Sequence, residues 1–181
     1  RIILTQFVRL CGGPSARIVV IPTASEIPDE VGPMYHRIFT ELGVSDVRVL
    51  DIRAREAAED PSVDAVLEGA SGVFMTGGDQ LRLATIIGET RTGQWLLQLI
   101  SDGATIAGTS AGASAMSQQM IAAGQSGIVP SQSLVEMAHG LGLIQHLIID
   151  QHFRQRQRIG RLMTMVTLHP SLIGVGLDED T

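Results

Sequence analysis

A serine flanked by glycines forms a pattern that supports nucleophilic catalysis. Residues 108–112 read Gly-Thr-Ser-Ala-Gly, the pattern G-x-S-x-G, after an apolar run and before a stretch of small residues. Glycine on both sides relieves the crowding of a sharp strand-to-helix turn, which leaves the hydroxyl of Ser110 exposed at its apex. The backbone N–H of Ala111 is then expected to point toward an oxyanion formed on an attacked carbonyl. The pattern also fits a tight crossover or a phosphate-binding nest that performs no catalysis.

A serine nucleophile needs a base, and the chain contains five histidines. His152 follows the apolar run of residues 147–149, so we expect it at the end of a strand. The other four lie in an amphipathic helix, beside a Gly-Leu-Gly turn or before a proline, and are expected to be structural: His36, His139, His146 and His169. His152 is therefore the candidate general base.

An acidic group provides candidates for the carboxylate that orients such a base. Asp178, Glu179 and Asp180 follow the apolar run from Ile173 to Leu177, so they too are expected at a strand terminus. The spacing does not distinguish among the three carboxylates. The chain order serine, histidine, acid differs from the serine, acid, histidine order of α/β-hydrolases, which argues against that fold.

Four arginines follow the candidate base within eight residues: Arg154, Arg156, Arg158 and Arg161. On a helix, three of them would share one stripe, and Arg156 would lie opposite, beneath His152 at the i, i+4 spacing. Planar cations beside a nucleophile suit the recognition of carboxylates or phosphates, which suggests an anionic substrate. The alternative is a solvated face that balances the charge of an acidic protein.

The elements that must position these residues alternate along the chain between short apolar runs and helical patterns. The apolar runs predict strands at residues 17–21, 47–50, 73–76 and 105–108. The helical patterns predict helices at residues 30–42, 61–69, 81–87 and 92–101. This alternation predicts an α/β fold with three layers, in which helices cover both faces of a parallel sheet.

Ligand-binding residues of parallel sheets collect where the strands end. Four segments are expected there, at residues 22–25, 76–80, 108–112 and 150–152. Gln80 in the second segment either donates a hydrogen bond to a substrate carbonyl or caps a helix.

Composition narrows the class of protein. The 181 residues are 44% hydrophobic and 18% charged, with 13 basic residues, all arginine, against 19 acidic ones. These values indicate a globular chain and argue against a disordered one or a nucleic-acid binder. A run of 18 apolar residues, as a membrane span requires, is absent from the sequence. The single cysteine, Cys11, cannot form an internal disulfide, which favours the cytoplasm, although secretion stays open.

The domain organisation is expected to be one domain over residues 1–181, because the sequence contains no linker, repeat or low-complexity stretch. The chain lacks an initiator methionine and stops inside a motif-like stretch, so we expect this domain to be incomplete at both ends.

Four motifs in this order resemble peptidase family S51, and within it the branch that degrades cyanophycin. They are Gly108-Thr109-Ser110-Ala111-Gly112, Thr76-Gly77-Gly78-Asp79-Gln80, Asp150-Gln151-His152-Phe153 with the arginines that follow, and Gly176-Leu177-Asp178-Glu179-Asp180. The resemblance implies a fold like that of class I glutamine amidotransferases. It implies Ser110 as nucleophile, His152 as base and Glu179 as orienting carboxylate. It implies six substrate-binding residues: Gln80, Asp150, Gln151, Arg156, Arg158 and Arg161.

The same resemblance implies a substrate. Cyanophycin is a polyaspartate backbone with an arginine joined to each β-carboxyl group by an isopeptide bond, and this branch releases β-Asp-Arg dipeptides from its end. The arginines would clamp a terminal carboxylate, and Asp150 would pair with the guanidinium of the substrate. The N–H groups of Gly78 and Ala111 would form the oxyanion hole. We expect no metal or organic cofactor, and the family suggests a homodimer.

Two alternatives remain at this point. One is a related isoaspartyl or acidic dipeptidase of the same family, which would keep Ser110 and His152 with a smaller substrate site. The other is a non-catalytic module that binds an anion through its arginines.

Overall fold

The structure is a computed structural model that describes residues 2–125, 127, 129–130 and 135–181. The chain divides into two compact units, Arg1–Gly112 and Ala113–Thr181. The interpretation as one domain stays a prediction.

The first unit contains a four-stranded parallel sheet. Its strands are β1 (Arg17–Ile21), β2 (Asp46–Val49), β3 (Gly72–Met75) and β4 (Thr105–Gly108), in the order β2-β1-β3-β4. The four predicted strands are confirmed, with β2 and β3 displaced by one residue from the predicted bounds. Because β3 and β4 are neighbours and Met75 pairs with Gly108, the segments that follow these strands emerge side by side.

Besides a short 3-10 helix (Gly13–Ser15), the described residues of the first unit form six α-helices. They are α1 (Ile2–Leu10), α2 (Pro28–Glu41), α3 (Arg55–Glu59), α4 (Ser62–Leu67), α5 (Gln80–Ile87) and α6 (Arg91–Ser101). The four predicted helices correspond to α2, α4, α5 and α6, with ends that differ by up to two residues. Helices α1 and α3 were not predicted from the sequence.

The core covers both faces of the sheet. On one face, Phe7 of α1 and Phe39 of α2 pack against Phe74 of β3, with ring centroids 5.8 Å and 5.3 Å from that of Phe74. Alternate strand residues point to the other face, and there Val73 and Met75 are fully buried. Full burial of such side chains stabilises the fold by roughly 1.5–3 kcal/mol each. The predicted three-layer α/β fold is confirmed.

The described residues of the second unit form two strand pairs. Strands β5 (Gln119–Ala123) and β6 (Glu136–His139) are antiparallel, and β7 (Leu147–Gln151) and β8 (Ile173–Leu177) are parallel. Helix α8 (Ile159–Leu168) connects β7 to β8 and packs Leu162 and Met165 against Ile121 and Ile148. The four-residue helix α7 (Ala111–Ser114) begins at the end of the first unit. The apolar runs before His152 and before the acidic group are thus confirmed as strands.

In the described part of the chain, no helix has the length and apolar character that crossing a bilayer requires.

Candidate active site

The segment around Ser110 forms a sharp strand-turn-helix. Strand β4 ends at Gly108 and α7 begins at Ala111, so the serine occupies the turn between them. Its φ of 51° lies in the left-handed region, which non-glycine residues adopt rarely. The residue is half-buried, and the N–H of Thr109 donates to the Met75 carbonyl (3.1 Å). The predicted turn, with the serine at its apex, has the geometry of a nucleophile elbow.

Glycines allow the backbone to approach closely around this serine. A Cβ atom on Gly112 would lie 2.3 Å from the Met75 carbonyl oxygen, so a side chain there would push α7 away from β3. A Cβ atom on Gly77 would lie 3.4 Å from the Cβ of Ser110, which places the turn after β3 directly against the serine. Close packing therefore requires glycine at position 112.

Gly78 fixes the same turn on its other side. Its φ of 139° is open to glycine alone, and an added Cβ would lie 2.0 Å from the Ala24 carbonyl oxygen. That carbonyl accepts a hydrogen bond from the N–H of Asp79 (2.9 Å). The loop after β1 therefore holds the Gly77-Gly78 turn beside Ser110.

Asp79, rather than Gln80, caps helix α5. Its carboxylate accepts from the N–H groups of Leu81 (2.7 Å) and Arg82 (3.1 Å). Gln80 is the first helical residue and is half-buried. Of the two roles considered for Gln80, the capping role is wrong because the preceding aspartate occupies the cap position.

His152 and Glu179 lie side by side in the second unit. Strands β7 and β8 pair in parallel with Gln151 opposite Leu177, so the residues that follow the two strands are neighbours. Nδ1 of His152 lies 2.8 Å from Oε1 of Glu179, and the two side chains are 26% and 54% exposed. Since a carboxylate only accepts, this contact places the proton on Nδ1 and leaves Nε2 as the basic nitrogen.

The other members of the acidic group have different positions. Oδ1 of Asp178 accepts from the N–H of Arg154 (2.9 Å). Asp180 is exposed and has a φ of 59°. Geometry thus separates three carboxylates that the spacing left equivalent.

The turn that carries His152 is not helical, so the predicted arginine stripe is wrong. Residues 153–157 form turns, and α8 begins only at Ile159. His152 and Gln157 both have a φ of 49°, and these left-handed residues interrupt any helical path. Arg154 and Arg156 are exposed in this turn, whereas Arg158 and Arg161 are buried.

The buried arginines bind the residues just before His152. Arg161 forms a bidentate pair with Asp150, with Nε 2.7 Å from Oδ2 and Nη2 on Oδ1. Nη1 of Arg158 donates to the carbonyl oxygen (2.6 Å) and to Oε1 (3.1 Å) of Gln151, and lies 3.5 Å from Oδ1 of Asp150. Asp150 is 1% exposed. Both carboxylate oxygens accept from the chain's own arginines, and the pairing of Asp150 with a substrate guanidinium stays a prediction.

This cluster of Asp150, Arg158 and Arg161 carries a surplus positive charge. Two guanidinium groups share one carboxylate, and Nε of Arg158 is buried without a partner in the described part of the chain. Burial, and after it the neighbouring Arg161, lowers the pKa of Arg158. An excess charge in a poorly solvated position favours a nearby anion.

These residues are of the types that acyl transfer uses. Ser110 lies on a strained turn, and His152 pairs with a carboxylate, the two parts that nucleophilic catalysis uses. Among the described residues, no cluster of three or more His, Cys, Asp or Glu side chains is arranged to hold a metal ion. Fold and site together describe an α/β protein with serine-hydrolase features. A family model described as peptidase family S51 matches residues 1–181, and the chain belongs to that family.

Within this family, the chain is similar to proteins that carry a specific name. The chain is 50% identical to a protein named cyanophycinase from Nostoc sp. (strain PCC 7120), over 100% of this chain and 61% of the relative. It is 44% identical to another of that name from Geminocystis herdmanii, over 99% of this chain and 66% of the relative. The chain therefore spans about three-fifths of the length of these curated relatives.

Solved structures support the fold class. A peptidase from an acI-B1 actinobacterium matches with a TM-score of 0.68 at 22% identity, over 97% of this chain and 72% of that chain. A putative peptidase E from Listeria monocytogenes matches with a TM-score of 0.60 at 18% identity, over 94% and 83%. At these identities the likeness concerns the fold alone.

Proposed function

We propose that the protein is a serine exopeptidase that hydrolyses cyanophycin to β-Asp-Arg dipeptides. The observation that carries the proposal is the 2.8 Å contact between His152 Nδ1 and Glu179 Oε1, since this contact prepares Nε2 as a base. The strained turn at Ser110 supports it, as do relatives that bear the name cyanophycinase.

In the proposed mechanism the three residues form a catalytic triad. The Ser110 hydroxyl attacks the backbone carbonyl of the penultimate residue, which is joined to the nitrogen of the terminal one, while Nε2 of His152 takes its proton and Glu179 stabilises the imidazolium. Collapse of the tetrahedral intermediate breaks the C–N bond, and His152 gives the proton to the departing amine. Water then attacks the acyl-enzyme ester with the same base, which releases the second product as a carboxylate and regenerates Ser110.

The oxyanion hole in this proposal consists of the backbone N–H groups of Gly78 and Ala111. Ala111 directly follows the nucleophile, and the Gly77-Gly78 turn lies against Ser110. Loss of one such donor costs on the order of 10²–10³ in turnover in other serine hydrolases.

Recognition of an anionic substrate follows from the arginines. Arg156 is exposed and is the arginine that we assign to direct, bidentate binding of a substrate carboxylate. Arg158 and Arg161 are assigned to substrate binding because their cluster with Asp150 carries a surplus positive charge. Gln151 is assigned to substrate binding because it contacts Arg158. Gln80, half-buried at the start of α5, is the proposed donor to a substrate carbonyl.

A substrate panel tests this function in the protein at its full natural length. The panel contains cyanophycin, a short β-Asp-Arg oligomer, a β-aspartyl dipeptide without a guanidinium, and an α-aspartyl dipeptide. We expect kcat/KM to be highest for the two substrates that carry arginine, and Arg156→Ala to raise KM while the exposed neighbour variant Arg154→Ala does not. A higher kcat/KM for the plain dipeptides would instead identify an isoaspartyl or acidic dipeptidase.

Labelling with a fluorophosphonate probe tests catalysis separately from the choice of substrate. We expect labelling of the wild type, retention in Arg158→Ala and loss in Ser110→Ala. Failure of the folded wild type to label, combined with tight binding of an oligomer, would indicate a non-catalytic module.

The proposal also includes a homodimer that acts in the cytoplasm. Analytical ultracentrifugation at micromolar concentration checks the dimer, since a monomer alone would contradict it.

A further inference from the structure

The Asp178 carboxylate binds the backbone of the turn that carries the catalytic histidine. Its Oδ1 accepts from the N–H of Arg154 at 2.9 Å, two residues after His152. The side chain is half-buried, unlike those of Glu179 and Asp180. None of the proposed chemical steps uses this contact.

The contact belongs to a ladder of three bonds between the segments after β7 and β8. The N–H of Phe153 donates to the Leu177 carbonyl (3.0 Å), the N–H of Arg154 donates to Asp178, and Nδ1 of His152 meets Glu179. The backbone bond continues the strand pairing by one residue, and the aspartate extends it by one more. Glu179 then projects from the next position in the chain.

The His152 backbone needs such support because its φ of 49° is unfavourable for a non-glycine residue. Conformations of this kind persist only where the surroundings fix them. With the turn released, the residue can relax toward a negative φ, and the imidazole then turns away from Glu179.

We propose that Asp178 is a positioning residue, which holds the 152–157 turn so that Nδ1 of His152 meets Glu179. This inference rests on the proposed function of the same histidine. Asp178 acts as a hydrogen-bond acceptor for a backbone N–H, and its negative charge is not what the role requires.

Two substitutions at this position separate the acceptor from the charge. Asp178→Asn keeps an oxygen at Oδ1 and removes the charge, whereas Asp178→Ala removes both. We expect Asp178→Ala to lower kcat by about 10–100-fold with KM within threefold, because displacement of a catalytic group by about 1 Å can cost on the order of 10². We expect Asp178→Asn to stay within about threefold of the wild type. The matched control is Asp180→Asn, which removes a neighbouring exposed charge at a position whose left-handed φ suits asparagine.

Proton NMR of the free protein provides a readout that does not depend on turnover. The Nδ1 proton of a histidine bound to a carboxylate resonates far downfield, and Glu179→Gln assigns the signal. We expect the resonance to persist in Asp178→Asn and to broaden or disappear in Asp178→Ala, with thermal melts confirming that each variant is folded. This measurement distinguishes failure of the inference from failure of the proposed activity.

The inference is overturned if Asp178→Asn loses as much kcat as Asp178→Ala, because the charge would then be the essential property. It is also overturned if folded Asp178→Ala keeps the wild-type kcat and resonance. A change confined to KM would assign Asp178 to substrate binding and would likewise contradict it.

Discussion

At the scale of single residues, the central feature is the pair formed by His152 and Glu179. The positions of His152 and the acidic group at strand ends could be predicted from the sequence, because apolar runs followed by polar residues mark the carboxyl edge of a sheet. The pairing with Glu179 required the parallel register of β7 and β8. The ion pair between Asp150 and Arg161 could not be predicted in this way, since Arg161 lies eleven residues further along and reaches Asp150 by a tertiary contact.

Replacement of the orienting carboxylate tests this pair. We expect Glu179→Gln to lower kcat by on the order of 10⁴, the cost of the equivalent change in a Ser-His-Asp triad, because an amide no longer stabilises the imidazolium. Steady-state kinetics on a β-Asp-Arg oligomer measure it, with Asp180→Asn as the control. A loss below about tenfold would show that Glu179 does not support the base.

At the scale of helices and strands, backbone packing positions these residues. How well an element can be predicted depends on whether its sequence signal lies in neighbouring residues. Strands β1 and β4 follow directly from short apolar runs bounded by glycine, proline or charge. The arginine stretch was misassigned because i, i+4 spacing does not reveal two left-handed residues, His152 and Gln157. The sequence patterns thus predicted helices and strands more accurately than they predicted turns.

The packing of α7 against β3 gives a prediction at this scale. Gly112→Ala would bring a Cβ to 2.3 Å from the Met75 carbonyl oxygen, so the helix must move and carry the Ser110 turn with it. We expect a destabilisation of about 1–3 kcal/mol and a slower rate of fluorophosphonate labelling. Urea denaturation and labelling kinetics measure the two effects. A wild-type labelling rate in this variant would show that α7 does not position the serine.

Asp64 joins α4 to α6 by accepting from Nε of Arg91 (2.7 Å) and Nε1 of Trp95 (2.6 Å). These bonds lower the pKa of Asp64 to about 2, with the hydrogen bond from Arg91 as the larger cause. A carboxyl group with a lowered folded-state pKa contributes stability above its unfolded pKa of about 4, and loses it as the pH falls toward 2. We therefore expect Asp64→Asn to reduce the melting temperature near neutral pH and to show a smaller further decrease between pH 4 and pH 2 than the wild type. Calorimetry at several pH values measures this, and parallel pH curves for the two proteins would contradict the role of Asp64.

At the scale of the whole molecule, the proposed triad joins residues that are distant in sequence. Ser110 follows β4, whereas His152 and Glu179 follow β7 and β8. The family resemblance predicted this set from motifs that are far apart in the chain. Contacts such as the pairing of Arg161 with Asp150 depend on packing within a unit, for which the sequence pattern offers no signal.

A double-mutant cycle tests whether Ser110 and His152 act together in the proposed triad. We expect Ser110→Ala, His152→Ala and the double variant to lose nearly the same activity, because neither residue is effective without the other. Activity on the oligomer and the rate of labelling are the measurements. Losses that multiply would indicate independent roles.

The most direct test of the account is mass spectrometry of the soluble products released from purified cyanophycin by the full-length protein, with Ser110→Ala in parallel. We predict that β-Asp-Arg accumulates from the earliest time points with the wild type alone, as cleavage from the chain end requires. Absence of the dipeptide with a protein shown to be folded, or equal release by Ser110→Ala, would contradict the account.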